Sequence, residues 1–244
     1  LVNPLRWLMR PGARRAAAVM TSSATVARLI EERCRVSRQA IHVTGLGVDR
    51  GRFSPPPAAA IAATRTRLEL SRPFLLQLGA LEPRRGVDLS IAATRALRRH
   101  HGELGLVLVG GVRAPVRDLA APPQWVRRLD EVDDALLPAL FAAAEAVLAP
   151  SRGEGFDLPV LEALACGAVV VASDIPVHRE HFAAAVELFA SGDAEALAAA
   201  IATVLEDSAR MASLREAGPR LAAAFTWEEV ARRHLEVWRS VGRG

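Results

Sequence analysis

The sequence predicts an α/β protein with a parallel sheet. Short apolar runs alternate with amphipathic helical spacings through the central stretch, which is the pattern of βαβ units. Two of those runs stop on glycine, and proline or glycine punctuates the segments between them.

Phe74-Leu75-Leu76-Gln77-Leu78 reads as a strand that stops at Gly79. A loop with Pro83 and Gly86 follows, then a helix over residues 87–99 and a buried strand over 104–109 that ends in Gly110-Gly111. A short, proline-broken stretch leads to Trp125-Val126. The acidic run Asp130-Glu131-Val132-Asp133-Asp134 reads as an N-cap cluster for a helix running through Phe141. Residues 146–149 and 169–171 are further strands, and helical patterns over Ala194–Glu206 and Trp227–Val241 close the chain. Before residue 54 the rhythm is similar but incomplete. A basic segment over 6–15 leads to a strand over 17–20, a helix over 24–33 and a strand over 41–43. Phe53-Ser54-Pro55-Pro56-Pro57 reads as a linker, since three prolines continue neither kind of element. The expected organisation is a partial α/β segment over 1–48, a hinge over 49–57, one complete domain over 58–225 and a last helix over 226–244.

Composition narrows the function classes. At 244 residues, 51% hydrophobic and 24% charged, the chain has apolar material for a packed core, which excludes disorder as its main state. No apolar run reaches the ~18 residues of a membrane span, and no signal peptide opens the chain. Cys34 and Cys166 lie far apart without C-x-x-C, so neither a disulfide scaffold nor a zinc ribbon is available. The expectation is a soluble protein of the reducing cytoplasm. All 31 basic residues are arginine, set against 27 carboxylates, for a net charge of +4. The high pI therefore reflects arginine usage rather than a basic patch, and nucleic acid is not expected as a partner. The chain opens on Leu1 rather than methionine, which reads as a fragment or a misassigned start.

The most informative run is Ser151-Arg152-Gly153-Glu154-Gly155-Phe156-Asp157-Leu158-Pro159-Val160-Leu161-Glu162-Ala163-Leu164-Ala165-Cys166-Gly167. Pro159 suits the first turn of a helix and Gly167 the left-handed cap that ends it. Free amides and the positive dipole end are then left just after Gly155-Phe156, where a phosphate would be held. Glu154 lies in the turn before the helix. Glu162 lies inside it with its Cα–Cβ bond leaning back, so both border one small cavity. Amides for phosphate beside two carboxylates for vicinal hydroxyls suit a nucleotide-sugar. A plain strand-to-helix turn with one capping and one solvated glutamate would give the same run.

Leu78-Gly79-Ala80-Leu81-Glu82-Pro83-Arg84-Arg85-Gly86 puts two guanidinium groups at the carboxyl end of a strand, where open α/β sheets bind ligands. Arginine pairs bidentately with phosphate. There is no D-x-D, so no metal is expected to hold a diphosphate, and no cofactor is expected. A leaving diphosphate would be stabilised by arginine and the helix N-terminus. His178-Arg179-Glu180-His181 has helical spacing for two imidazoles but no third ligand, so a metal there is not expected. Glu180 follows a strand and faces the same crevice in this reading. G-x-G-x-x-G, a P-loop and G-x-S-x-G are all absent.

These residues resemble the family 4 retaining glycosyltransferases (glycosyl transferases group 1). Glu154 and Glu162 have the E-x7-E spacing of that family, in a run similar to its E-G-F-G-L-P-x-L-E-A-M-A-C-G signature. Val170-Val171-Ala172-Ser173-Asp174-Ile175-Pro176 with Glu180 resembles the segment that follows there. Leu46-Gly47-Val48-Asp49 with Phe53, the Leu81 to Gly86 run and Phe225-Thr226-Trp227-Glu228 match in order along the chain.

The resemblance implies a GT-B fold: one complete Rossmann-like donor domain, and a second Rossmann-like domain of which only the closing elements are present. It implies transfer of a sugar from a UDP- or GDP-linked donor to an acceptor hydroxyl with retention, in glycan or lipid-linked saccharide synthesis. A catalytically incomplete donor-binding unit is the alternative, since the acceptor site and the family's active-site His would lie upstream. By position, Glu154 and Arg85 are the catalytic groups. Gly79, Arg84, Arg85, Glu154, Gly155, Phe156, Asp157, Leu158 and Glu162 would bind donor, with Glu162 on the ribose hydroxyls and Arg85 in the place of a phosphate-binding Lys. The last helix would cross back onto the N-terminal domain.

Three departures stand out. Ala80 occupies the place of a second phosphate-binding Arg, and the segment from Gly111 to Trp125 is short. Asp157 replaces a frequent Gly: pointing inward it would weaken diphosphate binding, pointing outward it would cap the helix. Some relatives act on lipid-linked acceptors at the inner membrane surface, and Arg6-Trp7-Leu8-Met9-Arg10 has the character to touch a bilayer. An ordinary amphipathic helix accounts for it better.

Overall fold

The computed structural model describes residues 5–242, with side chains described from Arg10 onward. The chain divides into two compact units, one of residues up to Gly47 with those from Phe225 on, the other Val48–Ala224.

The first unit begins with α1 (Leu5–Arg15), β1 (Val19–Thr21), α2 (Ala24–Cys34) and β2 (Ile41–Val43). Strands β1 and β2 pair in parallel, Met20 opposite His42. Helix α2 starts where the Ser23 hydroxyl accepts from the Val26 N–H at 3.1 Å, and it stops at Arg35 in the left-handed region. Ala27, Val36 and Ile41 form its small core. The basic segment read from the sequence is thus helical up to Arg15, with Pro11 inside it. The proposed bilayer contact at residues 6–10 rests on side chains that lie almost wholly outside the described residues.

The second unit runs α3 (Ala58–Arg67), β3 (Phe74–Leu78), α4 (Val87–Leu97), β4 (Gly105–Val109), β5 (Val126–Leu129), α5 (Leu137–Ala143), β6 (Ala146–Ala149), α6 (Leu158–Ala165), β7 (Val170–Ser173), α7 (Pro176–His181), β8 (Glu187–Phe189), α8 (Ala194–Glu206) and α9 (Ser208–Ala222). Helix α10 (Trp227–Val241) follows and belongs with the first unit. All six strands of the larger sheet are parallel, in the order β5-β4-β3-β6-β7-β8. The four inner strands are buried on both faces, as helix-covered parallel strands require: Leu75, Leu76, Leu106, Leu108, Ala146 and Val171 are essentially inaccessible. From β3 the chain first builds outward through β4 and β5, then returns to lay β6 on the other side of β3. That reversal is a topological switch point, and the crevice beyond the carboxyl ends of β3 and β6 is where such a sheet takes a ligand.

Strands β3, β4, β6 and β7 follow the apolar runs, and the helix over 194–206 lies where its periodicity placed it, but α3, β8 and β5, whose Arg127 and Arg128 break the apolar pattern, were not read from the sequence. The sequence reading missed α9. Its polar exposed face carries little periodicity and Pro219 interrupts it, but Gly218 lets it approach α6, since a β-carbon there would lie 2.8 Å from the Leu164 carbonyl oxygen. The acidic run does cap: the Asp133 carboxylate accepts from the Ala135 N–H at 3.0 Å. Asp130 and Asp134 instead pair with Arg128 and Arg52. No described helix is long and apolar enough to cross a membrane.

Candidate functional site

Two loops at the switch point are stitched together. The first leaves β3 at Gly79, turns through a 3₁₀ segment over Pro83–Arg85 and enters α4 at Gly86. The second leaves β6 and enters α6 after Asp157. The Arg152 N–H donates to the Arg84 carbonyl at 2.9 Å, and the Arg84 Nη1 donates to the Gly153 carbonyl at 2.8 Å. Arg152 grips Asp88 in α4 with both forks, at 3.0 and 2.7 Å, and also donates to the Pro83 carbonyl. Burial works to raise the Asp88 carboxyl, but the bonds and charge of Arg152 outweigh it and hold the group below its ordinary range. Gly86 sits in the left-handed region at φ 67°, where a β-carbon would come within 2.2 Å of the Pro150 carbonyl oxygen. Only glycine fits between these loops.

On this frame two guanidinium groups meet three carboxylates. Arg84 contacts Glu82 at 2.7 Å and Glu154 at 3.1 Å; Arg85 contacts Glu154 at 3.0 Å and Asp157 at 3.1 Å. The Glu154 and Asp157 side chains are 8% and 2% exposed, so these are protected pairs rather than solvated ones. Gly79 brings its bare α-carbon against the Arg85 guanidinium, where an added β-carbon would lie 3.5 Å from Cζ. Gln77, buried in β3, donates from Nε2 to the Arg85 carbonyl at 2.8 Å. The Gln77 Oε1 and the Arg85 Nε are both buried without a partner among the described residues, and both residues line one small cavity.

Of the two directions the sequence left open for Asp157, the carboxyl takes the inward one, onto Arg85, and does not cap the helix. The residue occupies the left-handed region at φ 83°. Its Oδ1 accepts from Arg85, and its Oδ2 lies 3.1 Å from the His178 Nε2. His178 is wholly buried, with Nδ1 2.8 Å from the Ser173 carbonyl, which only accepts. The imidazole therefore donates from Nδ1 and turns its Nε2 toward the Asp157 carboxyl. His178 is a structural partner of Asp157, and no group of three metal-ligating side chains occurs among the described residues.

The backbone N–H groups of Asp157 and Leu158 have no partner among the described residues, which leaves them available at the start of α6. Phe156 is buried, its ring 4.6 Å from that of His181 and edge-on to Phe182 at 5.7 Å. It anchors the loop from behind. Gly155 is exposed, and Leu158 opens α6. Glu162 is half-buried further along α6 and makes no hydrogen bond to the Arg85 cluster among the described residues. Burial raises its carboxyl above the ordinary range; the Arg52 charge opposes this, and Asp134 and Asp157 add to it. Arg85, Arg84, Glu154, Asp157 and Gly79 are thus in direct contact, whereas Glu162 joins them through Asp157's field rather than through a bond. Glu180 pairs with His181 at 3.5 Å. Sequence reasoning did not single out Gln77, His178 or Arg52 for these roles. A glutamine in an otherwise apolar strand was the one available signal.

The sequence profile of the family described as glycosyl transferases group 1 matches residues 63–221. The chain belongs to this family. A D-inositol 3-phosphate glycosyltransferase from Kineococcus radiotolerans is 31% identical over 220 residues, covering 79% of this chain and 50% of that protein. The chain spans about half the length of the curated relatives it matches first. Among solved structures, sucrose-phosphate synthase from Thermosynechococcus elongatus superimposes with a TM-score of 0.82 at 24% identity, over 99% of this chain and 62% of that one. HepE from Anabaena in complex with UDP-glucose also gives 0.82, at 21% identity, over 98% and 67%. These likenesses carry the fold, which is of the GT-B type.

Proposed function

We propose that this chain carries the donor site of a retaining glycosyltransferase, which takes a UDP- or GDP-linked sugar and passes the sugar to an acceptor hydroxyl without a metal. The observation that carries the reading is the cluster of Arg84, Arg85 and Glu154 at the switch point of the sheet, with Glu154 on the loop that leads to the Asp157 and Leu158 amides, which have no partner among the described residues. Positive and main-chain donors suit the diphosphate, and the helix N-terminus favours the same charge. Glu154 suits sugar hydroxyls and Glu162 the ribose diol. HepE, solved with UDP-glucose, shares the fold and supports a nucleotide-sugar as the donor class. Arg85 and the start of α6 would stabilise the departing diphosphate, with the acceptor attacking from the same face.

The half-length coverage of the relatives favours a second reading, a donor-binding unit that is inactive by itself. Transfer needs the acceptor oxygen held against the anomeric carbon, and that proximity is a large part of the barrier. Donor-dependent product formation by this chain alone separates the two. Binding is tested by melting the chain with UDP, GDP and their glucose and mannose esters. A ligand at a hundred times its Kd adds ~2.7 kcal/mol, or roughly 5 to 11 °C for a domain of this size. Glu162→Ala is expected to abolish most of the rise, and no rise with any of the nucleotides overturns the reading.

A further inference from the structure

We propose that Asp157 is a specificity-determining residue: an internal anion that occupies Arg85 and sets how strongly the site prefers a doubly phosphorylated ligand over a less charged one. The inference rests on the donor reading above and concerns its charge selectivity.

Three observations carry it. Asp157 holds the left-handed backbone region at φ 83°, which a side chain disfavours, without any cap hydrogen bond to compensate locally. Its carboxylate is instead spent on two partners, the partly buried Arg85 through Nη1 at 3.1 Å and the fully buried His178 through Nε2 at 3.1 Å. His178 is itself fixed by the Ser173 carbonyl, and the Ser173 hydroxyl by the Ser151 carbonyl at 2.6 Å, so the carboxylate cannot swing away without breaking a buried chain of contacts. Third, Arg85 has little left to offer. Its Nη1 serves both Glu154 and Asp157, and its Nε is buried, so an arriving phosphate meets Nη2 instead of a two-pronged fork. The cluster as a whole carries three carboxylates against two guanidinium groups.

A phosphate oxygen and the Asp157 carboxylate therefore compete for one nitrogen, and each added phosphate charge meets a fixed negative neighbour. Replacing Asp157 by glycine frees Nη1 and removes that charge, and glycine suits the backbone angle. Asp157→Asn removes the charge while keeping an acceptor for Arg85 and a polar group for His178, so it guards against a loop that rearranges in the glycine variant.

The test is calorimetric titration of the full chain and both variants with uridine, UMP and UDP, and with guanosine, GMP and GDP. Asp157→Gly is expected to tighten diphosphate binding by about tenfold, monophosphate binding less, and nucleoside binding not at all, with the gain shrinking in high salt. Asp157→Asn is expected to move in the same order by a smaller factor. An unchanged or reduced diphosphate-to-nucleoside ratio in both variants, with nucleoside binding intact, overturns the proposal and leaves the donor reading standing. No binding of either series to any of the three proteins overturns the donor reading, and the proposal with it.

Discussion

Gly86→Ala tests the stitched loops most directly. The added methyl carbon would start 2.2 Å from the Pro150 carbonyl oxygen and 2.9 Å from its carbon, both main-chain atoms that no rotamer change can move. Relief requires α4 and the end of β6 to part by roughly 1 Å, which breaks interior packing of this density. The left-handed angle adds about 1 to 2 kcal/mol by itself. The parting also strains the Arg152–Asp88 and Arg84–Gly153 bonds. Clash, strain and backbone together place the loss at about 3 to 5 kcal/mol, in the range of overpacked and broken-network substitutions. For a domain of this size that lowers Tm by roughly 6 to 20 °C. Gly192→Ala separates the two contributions, since Gly192 has φ 86° with nothing within 4 Å, and Gly102→Ala, in open space at an ordinary angle, is the neutral control. Thermal melts of the three variants are the assay. If Gly86→Ala melts within about 2 °C of Gly192→Ala, the close approach to Pro150 carries no energy and the stitched geometry is wrong.

Glu162→Gln should raise Tm at neutral pH while abolishing the nucleotide-induced rise. The Glu162 carboxyl titrates above its ordinary range because the folded chain buries it, so the folded state binds the proton more tightly than the unfolded one. Stability from this group is present below the ordinary carboxylate range and lost as pH rises through the raised value. The advantage of glutamine should therefore grow across that window and vanish in acid; an advantage constant with pH refutes the assignment. Burial, with Glu162's charge adding to it, pushes the Cys166 thiol up to about 12. Iodoacetamide at neutral pH should therefore label Cys34, which is partly exposed, and leave Cys166 untouched in the native chain. Mass spectrometry after digestion reads this, and rapid native labelling of Cys166 would show that α6 is not packed as described.

Sequence periodicity alone determined much of this protein. Apolar runs such as Phe74–Leu78 are strands because a helix-covered sheet buries both faces, and local chemistry placed Pro159 in the first turn of α6 and Gly167, at φ 72°, just past its end. Glu154, Arg84 and Arg85 were legible because each lies beside a strand end, a position that needs no long-range knowledge. The direction of Asp157 was not. The two alternatives for it, pointing inward or capping the helix, could not be separated from its neighbours in the chain, because the partners that draw it inward are Arg85, 72 residues earlier, and His178, 21 residues later. The same holds for Gln77 on the Arg85 carbonyl and for Arg52 beside Glu162. Which side chains meet at the crevice depends on β6 returning to pair with β3 between β4 and β7, and strand order is a property of how whole layers pack, which residue spacing does not encode.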